Sequence, residues 1–136
     1  SVFTLSIHQL NNYPARKPPS NIDLNLPDRI GDDEYLNILG EGMFRAFEEF
    51  QPEIIFYVAG ADPYREDQLG GLALTIDGLR ERDRLVFDHA RRQNVPLAIT
   101  QAGGYARHVA DTVKIHLNTI VAARDALQRD VKSISR

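Results

Sequence analysis

The chain has 136 residues, of which 43% are hydrophobic and 26% charged, with a formal net charge of −3. Those values describe one globular domain with a real core, and they lack the basic excess of a direct nucleic-acid binder. Cysteine is absent, which excludes disulfides, thiolate zinc sites and a Cys nucleophile and is compatible with a reducing cytoplasm. No apolar run is long enough to cross a bilayer.

The chain opens on Val2-Phe3-Thr4-Leu5-Ser6-Ile7, whose β-branched and aromatic residues predict a strand. No initiator Met and no loose lead-in precede it, so the expectation is a fragment of a longer domain. From His8 to Gly31 four prolines, Pro14, Pro18, Pro19 and Pro27, predict one long irregular loop. Asp32 or Asp33 is expected to cap a helix in which Leu36, Leu39, Met43, Phe47 and Phe50 recur at helical spacing. Gly40 and Gly42 weaken that helix, and Pro52 ends it.

Ile54-Ile55-Phe56-Tyr57-Val58-Ala59 reads as a strand covered on both faces. A loop from Gly60 to Thr75 follows. Then comes a helix, starting at Thr75 or Asp77, with Leu79, Val86 and Ala90 on its apolar side. The run Arg80-Glu81-Arg82-Asp83-Arg84 is expected to be a solvated face. Val95 to Thr100 predicts a third strand, Gln101 to Tyr105 a turn, and Val109, Val113, Leu117, Ile120 and Val121 a last helix.

Strand and helix therefore alternate, which implies βαβ units and a parallel α/β sheet. Sites in such sheets lie at the carboxyl ends of the strands. Three loops leave that edge, starting at His8, at Gly60 and around Gly103-Gly104-Tyr105. Asp62, just past a buried strand, can ligate a metal, act as a base, or bond nearby loop N–H groups. Asp67 is expected to hold the turn into Leu69-Gly70-Gly71. Gly103 and Gly104 let backbone approach a ligand, and the Tyr105 phenol is suited to donate to an oxyanion. The opposing reading is a glycine turn followed by a packing aromatic. His8, at a strand end, is expected to be structural. Neither a G-x-S-x-G elbow nor a dinucleotide or Walker-type glycine motif is present.

Taken in order, Val2 to Gln9, Tyr13-Pro14, Gly31 to Leu36, Gly60-Ala61-Asp62, Asp67 to Leu72 and Gly103-Gly104-Tyr105 resemble the second half of the histone deacetylase family. The Tyr13-Pro14-Ala15-Arg16-Lys17-Pro18 loop is closest to its bacterial, class-IV-like branch. The resemblance implies that residues 1–136 form a single domain, the C-terminal portion of a catalytic domain. It also implies a three-layer parallel-sheet sandwich, a partial arginase/deacetylase-type fold. Asp62 then matches a metal-ligating Asp, and Tyr105 matches the tyrosine that polarises the acyl carbonyl. Tyr13 and Gly104 match positions of the acyl-lysine channel, and Ser6 (hydroxyl) and Ile7 (carbonyl) match positions around a structural potassium ion.

The implied activity is zinc-dependent hydrolysis of an acetylated amine such as acetyl-lysine or an acetylpolyamine, with no membrane and no direct nucleic-acid partner. The family's Asp-x-His pair and its two adjacent histidines do not occur here. The chain alone is therefore expected to be inactive and to self-associate through an uncovered face. The rival expectation is a self-contained α/β binding or assembly domain with a vestigial site.

Overall fold

A computed structural model describes residues 1–134, with side chains through 129. The elements run β1 (Leu5–Gln9), β2 (Ile22–Leu26), α1 (Asp32–Glu49), β3 (Ile55–Ala59), α2 (Ile76–Arg92), β4 (Leu97–Gln101) and α3 (Val109–Ile134). All strand pairing is parallel, as the alternation implies. β1 pairs with β2 from Leu5↔Ile22 to Gln9↔Leu26, and β3 with β4 from Ile55↔Leu97 to Ala59↔Gln101. Among the described residues no ladder joins the two pairs.

The strand β2 corrects the expectation of one unbroken loop from His8 to Gly31. Its Ile-Asp-Leu-Asn-Leu sequence alternates, with Ile22 and Leu26 buried and Asp23 and Asn25 exposed, as a strand with one buried face requires. The prolines lie outside it and never interrupt the ladder. Strand starts also shift, β3 by one residue to Ile55. β1 starts at Leu5 rather than Val2 and takes in His8, and β4 starts at Leu97 because Pro96 cannot donate to a ladder.

Helix α1 presents Tyr35, Leu39 and Met43 to the core. Neither Asp32 nor Asp33 caps it: its N-cap is Gly31, without a side-chain bond. Asp32 instead accepts from Thr75 N–H (2.8 Å) and the Thr75 hydroxyl (2.6 Å). Thr75 is the N-cap of α2 and accepts from Gly78 N–H at 2.9 Å. Gly42 is a packing requirement rather than only a weakness, since a Cβ there would collide with the Leu24 side chain of β2.

One core cluster joins the helices through Tyr35, Leu39, Leu79, Val86 and Ile115, with Ile7, Tyr57 and Leu97 of the strands packed on it. A second joins Phe87 of α2 to Ala122 and Ala126 of α3, again against Tyr57 and Leu97. The odd residues of β3 thus face the helices. Its even residues, Phe56 and Val58, face away and are 69% and 65% exposed. Two layers of the expected sandwich are built from this chain. The expectation that β3 is covered on both faces is corrected, because no described element packs on Phe56 and Val58.

Candidate functional site

The loops after β1, β3 and β4 meet at one edge. Asp67 joins two of them: its Oδ1 accepts from Leu69 N–H and Gly70 N–H, each 2.8 Å, and its Oδ2 from Tyr105 N–H at 2.6 Å. The Gln68 N–H and side-chain amide both donate to the Tyr105 carbonyl, at 3.0 and 3.1 Å. Asp67 is buried and its two oxygens accept three backbone donors, so the structural role expected for it holds. Gln9, at the end of β1, accepts from Gly71 N–H at 2.8 Å and donates to Asp28 at 2.6 Å. The glycines are needed for this closeness. A Cβ on Gly71 would meet the Gln9 amide, and one on Gly104 would lie 2.7 Å from the Ala61 Cβ.

Asp62 follows the buried pair Gly60-Ala61. Its carboxylate folds over Gly60, where a Cβ would collide with Asp62 Oδ1. It is open to solvent on one side. The protein on its other sides desolvates it, which pushes its carboxyl above the ordinary value. Its own backbone N–H and Arg82 oppose that rise, and Asp67 adds to it. Asp62 borders a cavity of about 160 Å³ that is also lined by Ile7, Tyr35, Val58, Gly60 and Arg82. A larger groove of about 680 Å³ lies elsewhere, between the helices, and is lined by charges such as Arg84, Asp88, Asp125 and Arg129. Of the expected site residues, Asp62 and Ile7 line the smaller cavity, and Ser6, Tyr13, Gly104 and Tyr105 are not part of its lining.

The other expected site residues are placed as follows. Ile7 shares the Asp62 cavity. Ser6 lies on the opposite face of β1, with its hydroxyl 2.8 Å from His8 Nδ1, while His8 Nε2 lies 2.9 Å from Asn25 Oδ1. With Nε2–H donating to the Asn25 oxygen, Nδ1 accepts from the Ser6 hydroxyl, whose lone pairs stay available. Gly104 touches the Ala61 neighbourhood. Tyr105 immediately precedes Ala106, which bridges to Asp67, lies four residues before α3, and is 59% exposed. Tyr13 is 92% exposed in a loop held by Lys17, whose ammonium donates to the carbonyls of Leu10, Asn12 and Pro14.

The solvated reading of Arg80 to Arg84 is corrected at two positions. Arg82 is 4% and Asp83 0% exposed. Asp83 Oδ1 accepts from Arg82 Nε (3.0 Å) and Nη2 (2.8 Å) and from the Tyr57 hydroxyl (2.6 Å), and its Oδ2 from the Thr119 hydroxyl (2.6 Å). Burial works against the Arg82 charge, but Tyr57, Asp83 and Tyr35 more than offset it. The signal was in the spacing: positions 79, 82, 83, 86 and 90 share one helix face, and the charge run masked it.

A zinc ion needs about three protein ligands and an open position. Among the described residues no group of three or more His, Cys, Asp or Glu is arranged to hold one. Asp67 spends its oxygens on backbone N–H groups, so Asp62 is a single candidate ligand and these residues do not by themselves fit a zinc centre.

The histone deacetylase domain family matches residues 1–120. An uncharacterized protein of Picosynechococcus sp. is 40% identical over 125 residues, which is 92% of this chain and 42% of that protein. Histone deacetylase 2 of Arabidopsis thaliana is 43% identical over 86 residues, 60% of this chain and 22% of that protein. Among solved structures, an acetylpolyamine aminohydrolase from Burkholderia pseudomallei matches with a TM-score of 0.71 at 24% identity, covering 89% of this chain and 37% of that one. An HDAC homolog from Aquifex aeolicus matches with a TM-score of 0.71 at 22% identity, covering 93% and 39%. The two structures share the fold, and the chain spans less than half the length of each of these relatives. With the family matched over most of its length and its strand-end loops converging as described, the chain belongs to the histone deacetylase family.

Proposed function

We propose that this chain forms the strand-end half of a zinc-dependent hydrolase site that removes acetyl groups from amines, on acetyl-lysine, an acetylpolyamine or a similar small acyl amide. The observation that carries the reading is Asp62: a carboxylate at a strand end, beside a cavity and open to solvent on one side, whereas Asp67 accepts from the backbone of three other residues. In the complete protein it supplies one zinc ligand, the others coming from residues outside those described. The Tyr105 phenol donates a hydrogen bond to the oxyanion formed when water attacks the acyl carbonyl. Gly104 leaves room for the substrate, and Tyr13 belongs to the wall of its channel. The Ser6 hydroxyl and Ile7 carbonyl help hold a potassium ion. The protein works in the cytoplasm, and the chain alone is inactive.

The test is metal content and deacetylase activity of the 136-residue chain beside the complete gene product that contains it. The complete protein is expected to bind about one zinc and cleave an acetyl-lysine peptide, with both lost in Asp62→Asn, while the short chain does neither. Stoichiometric zinc and turnover by the short chain would overturn the site assignment. A complete protein that neither binds zinc nor cleaves any acetylated amine would overturn the function.

The exposure of Phe56 and Val58 supports a second reading, that the short chain serves as an assembly domain and self-associates through that face.

A further inference from the structure

We infer that Arg82 is a positioning residue for Asp62: from helix α2 it fixes the peptide group Gly60–Ala61, and with it the direction in which the carboxylate leaves β3. Arg82 Nη1 donates to the Gly60 carbonyl at 2.6 Å. The N–H of the same peptide group, on Ala61, donates to the Gly103 carbonyl at 2.7 Å. Both polar ends of one peptide plane are therefore held, one from α2 and one from the loop after β4. Asp62 is the next residue, and its carboxylate rests against Gly60, so rotation of that plane would swing the carboxylate off the cavity.

The guanidinium is itself braced. Its Nε and Nη2 are held by Asp83, which is tied to β3 through the Tyr57 hydroxyl and to α3 through the Thr119 hydroxyl. Stability alone is a poor explanation for this arrangement. A buried ion pair is often no better than well-packed apolar residues of the same volume, and here one sits against the peptide that precedes the candidate ligand. A planar fork with fixed donors can meet Asp83 on one edge and a carbonyl on the other. A lysine ammonium at that place can reach one of them as a point charge.

The metal part of this inference rests on Asp62 being a ligand, whereas the anchoring of the peptide does not. The experiment uses the complete gene product with Arg82→Met, Arg82→Lys and Thr119→Val. Two things are read: amide hydrogen exchange at residues 60–62 against the core of α2, and the rate of zinc loss to a chelator. Arg82→Met is expected to speed exchange at Ala61 by about tenfold more than at Leu79 or Val86, with partial rescue in Arg82→Lys. Zinc loss is expected to quicken in the same order. Thr119→Val, which loosens Asp83 but leaves the Gly60 contact, is expected to change all amides alike and zinc loss little. If Arg82→Met does not fold, Arg82→Lys against Thr119→Val carries the comparison. Exchange at Ala61 that rises no more than at the core amides would overturn the anchoring. Selective exchange at Ala61 with unchanged zinc loss would overturn the metal role. A complete protein that holds no zinc would instead refute the functional reading and leave the exchange result to decide the anchoring.

Discussion

Two buried carboxylates, Asp67 and Asp83, show how a side chain's surroundings decide its use. Asp67 accepts three backbone N–H groups and closes two loops onto each other. Asp67→Ala leaves those donors short of partners, and a loss of about 1–3 kcal/mol is expected. Urea denaturation would measure it, and loss of protection at Leu69, Gly70 and Tyr105 would locate it. Asp83 is fully buried beneath Arg82. Asp83→Ala strands a buried guanidinium and is expected to cost about 3–5 kcal/mol, the usual penalty for breaking a buried pair. The same denaturation curve reads it, and a loss under 1 kcal/mol would contradict the network.

His89 sets a pH dependence. Burial, and then Arg92, hold its pKa below the ordinary value of 6.5. Its Nε2 is buried without a hydrogen-bond partner, and its ring packs 4.9 Å from that of Phe47. Below 6.5 the unfolded chain takes up a proton that the folded chain refuses. Stability is therefore fully present above 6.5 and is lost as pH falls through the folded value. His89→Phe keeps an aromatic ring against Phe47. It is expected to flatten the fall in Tm between neutral and mildly acid pH, and a slope equal to wild type would rule His89 out as its source.

Among the elements, the start of α2 is tied to the start of α1. Thr75 caps α2 through Gly78 N–H while its own N–H and hydroxyl reach Asp32. Thr75→Val removes the cap and one of the two bonds to Asp32, with an expected loss of about 1–2 kcal/mol. A double-mutant cycle with Asp32→Ala should show coupling of about 0.5 kcal/mol or more, because the two share partners. Strand β2 is the element that composition hid. Its alternation over Ile22 to Leu26 was present in the residues, but four prolines across the segment suggested irregular chain. Parallel pairing with β1 is what gives that alternation its meaning. The glycine at 42 reads as a defect within α1 alone and becomes a requirement only when Leu24 is packed against it.

At the scale of the molecule, three helices cover one face of the strands and leave the other face of β3 open. The short chain is expected to associate through Phe56 and Val58. Phe56→Asp with Val58→Asp should shift sedimentation toward monomer with little effect on the unfolding midpoint. Association unchanged by the pair would show that this face is not the one used.

The sequence by itself determined the alternating order of strands and helices and the edge where the loops converge, while its motif order carried the resemblance to the family and made Asp62 and Tyr105 candidates. The order and the edge follow from local rules, since propensity, periodicity and spacing act within a few residues of one another. Only the tertiary structure decided which charges of α2 are buried, where Asp32 directs its carboxylate and which side of β3 stays bare. It also decided that Asp67 is consumed by backbone donors while Asp62 keeps its place at the cavity. The bonds behind these features that link distant parts of the chain join residues 22 to 43 positions apart, and no short window of sequence contains both members of such a pair.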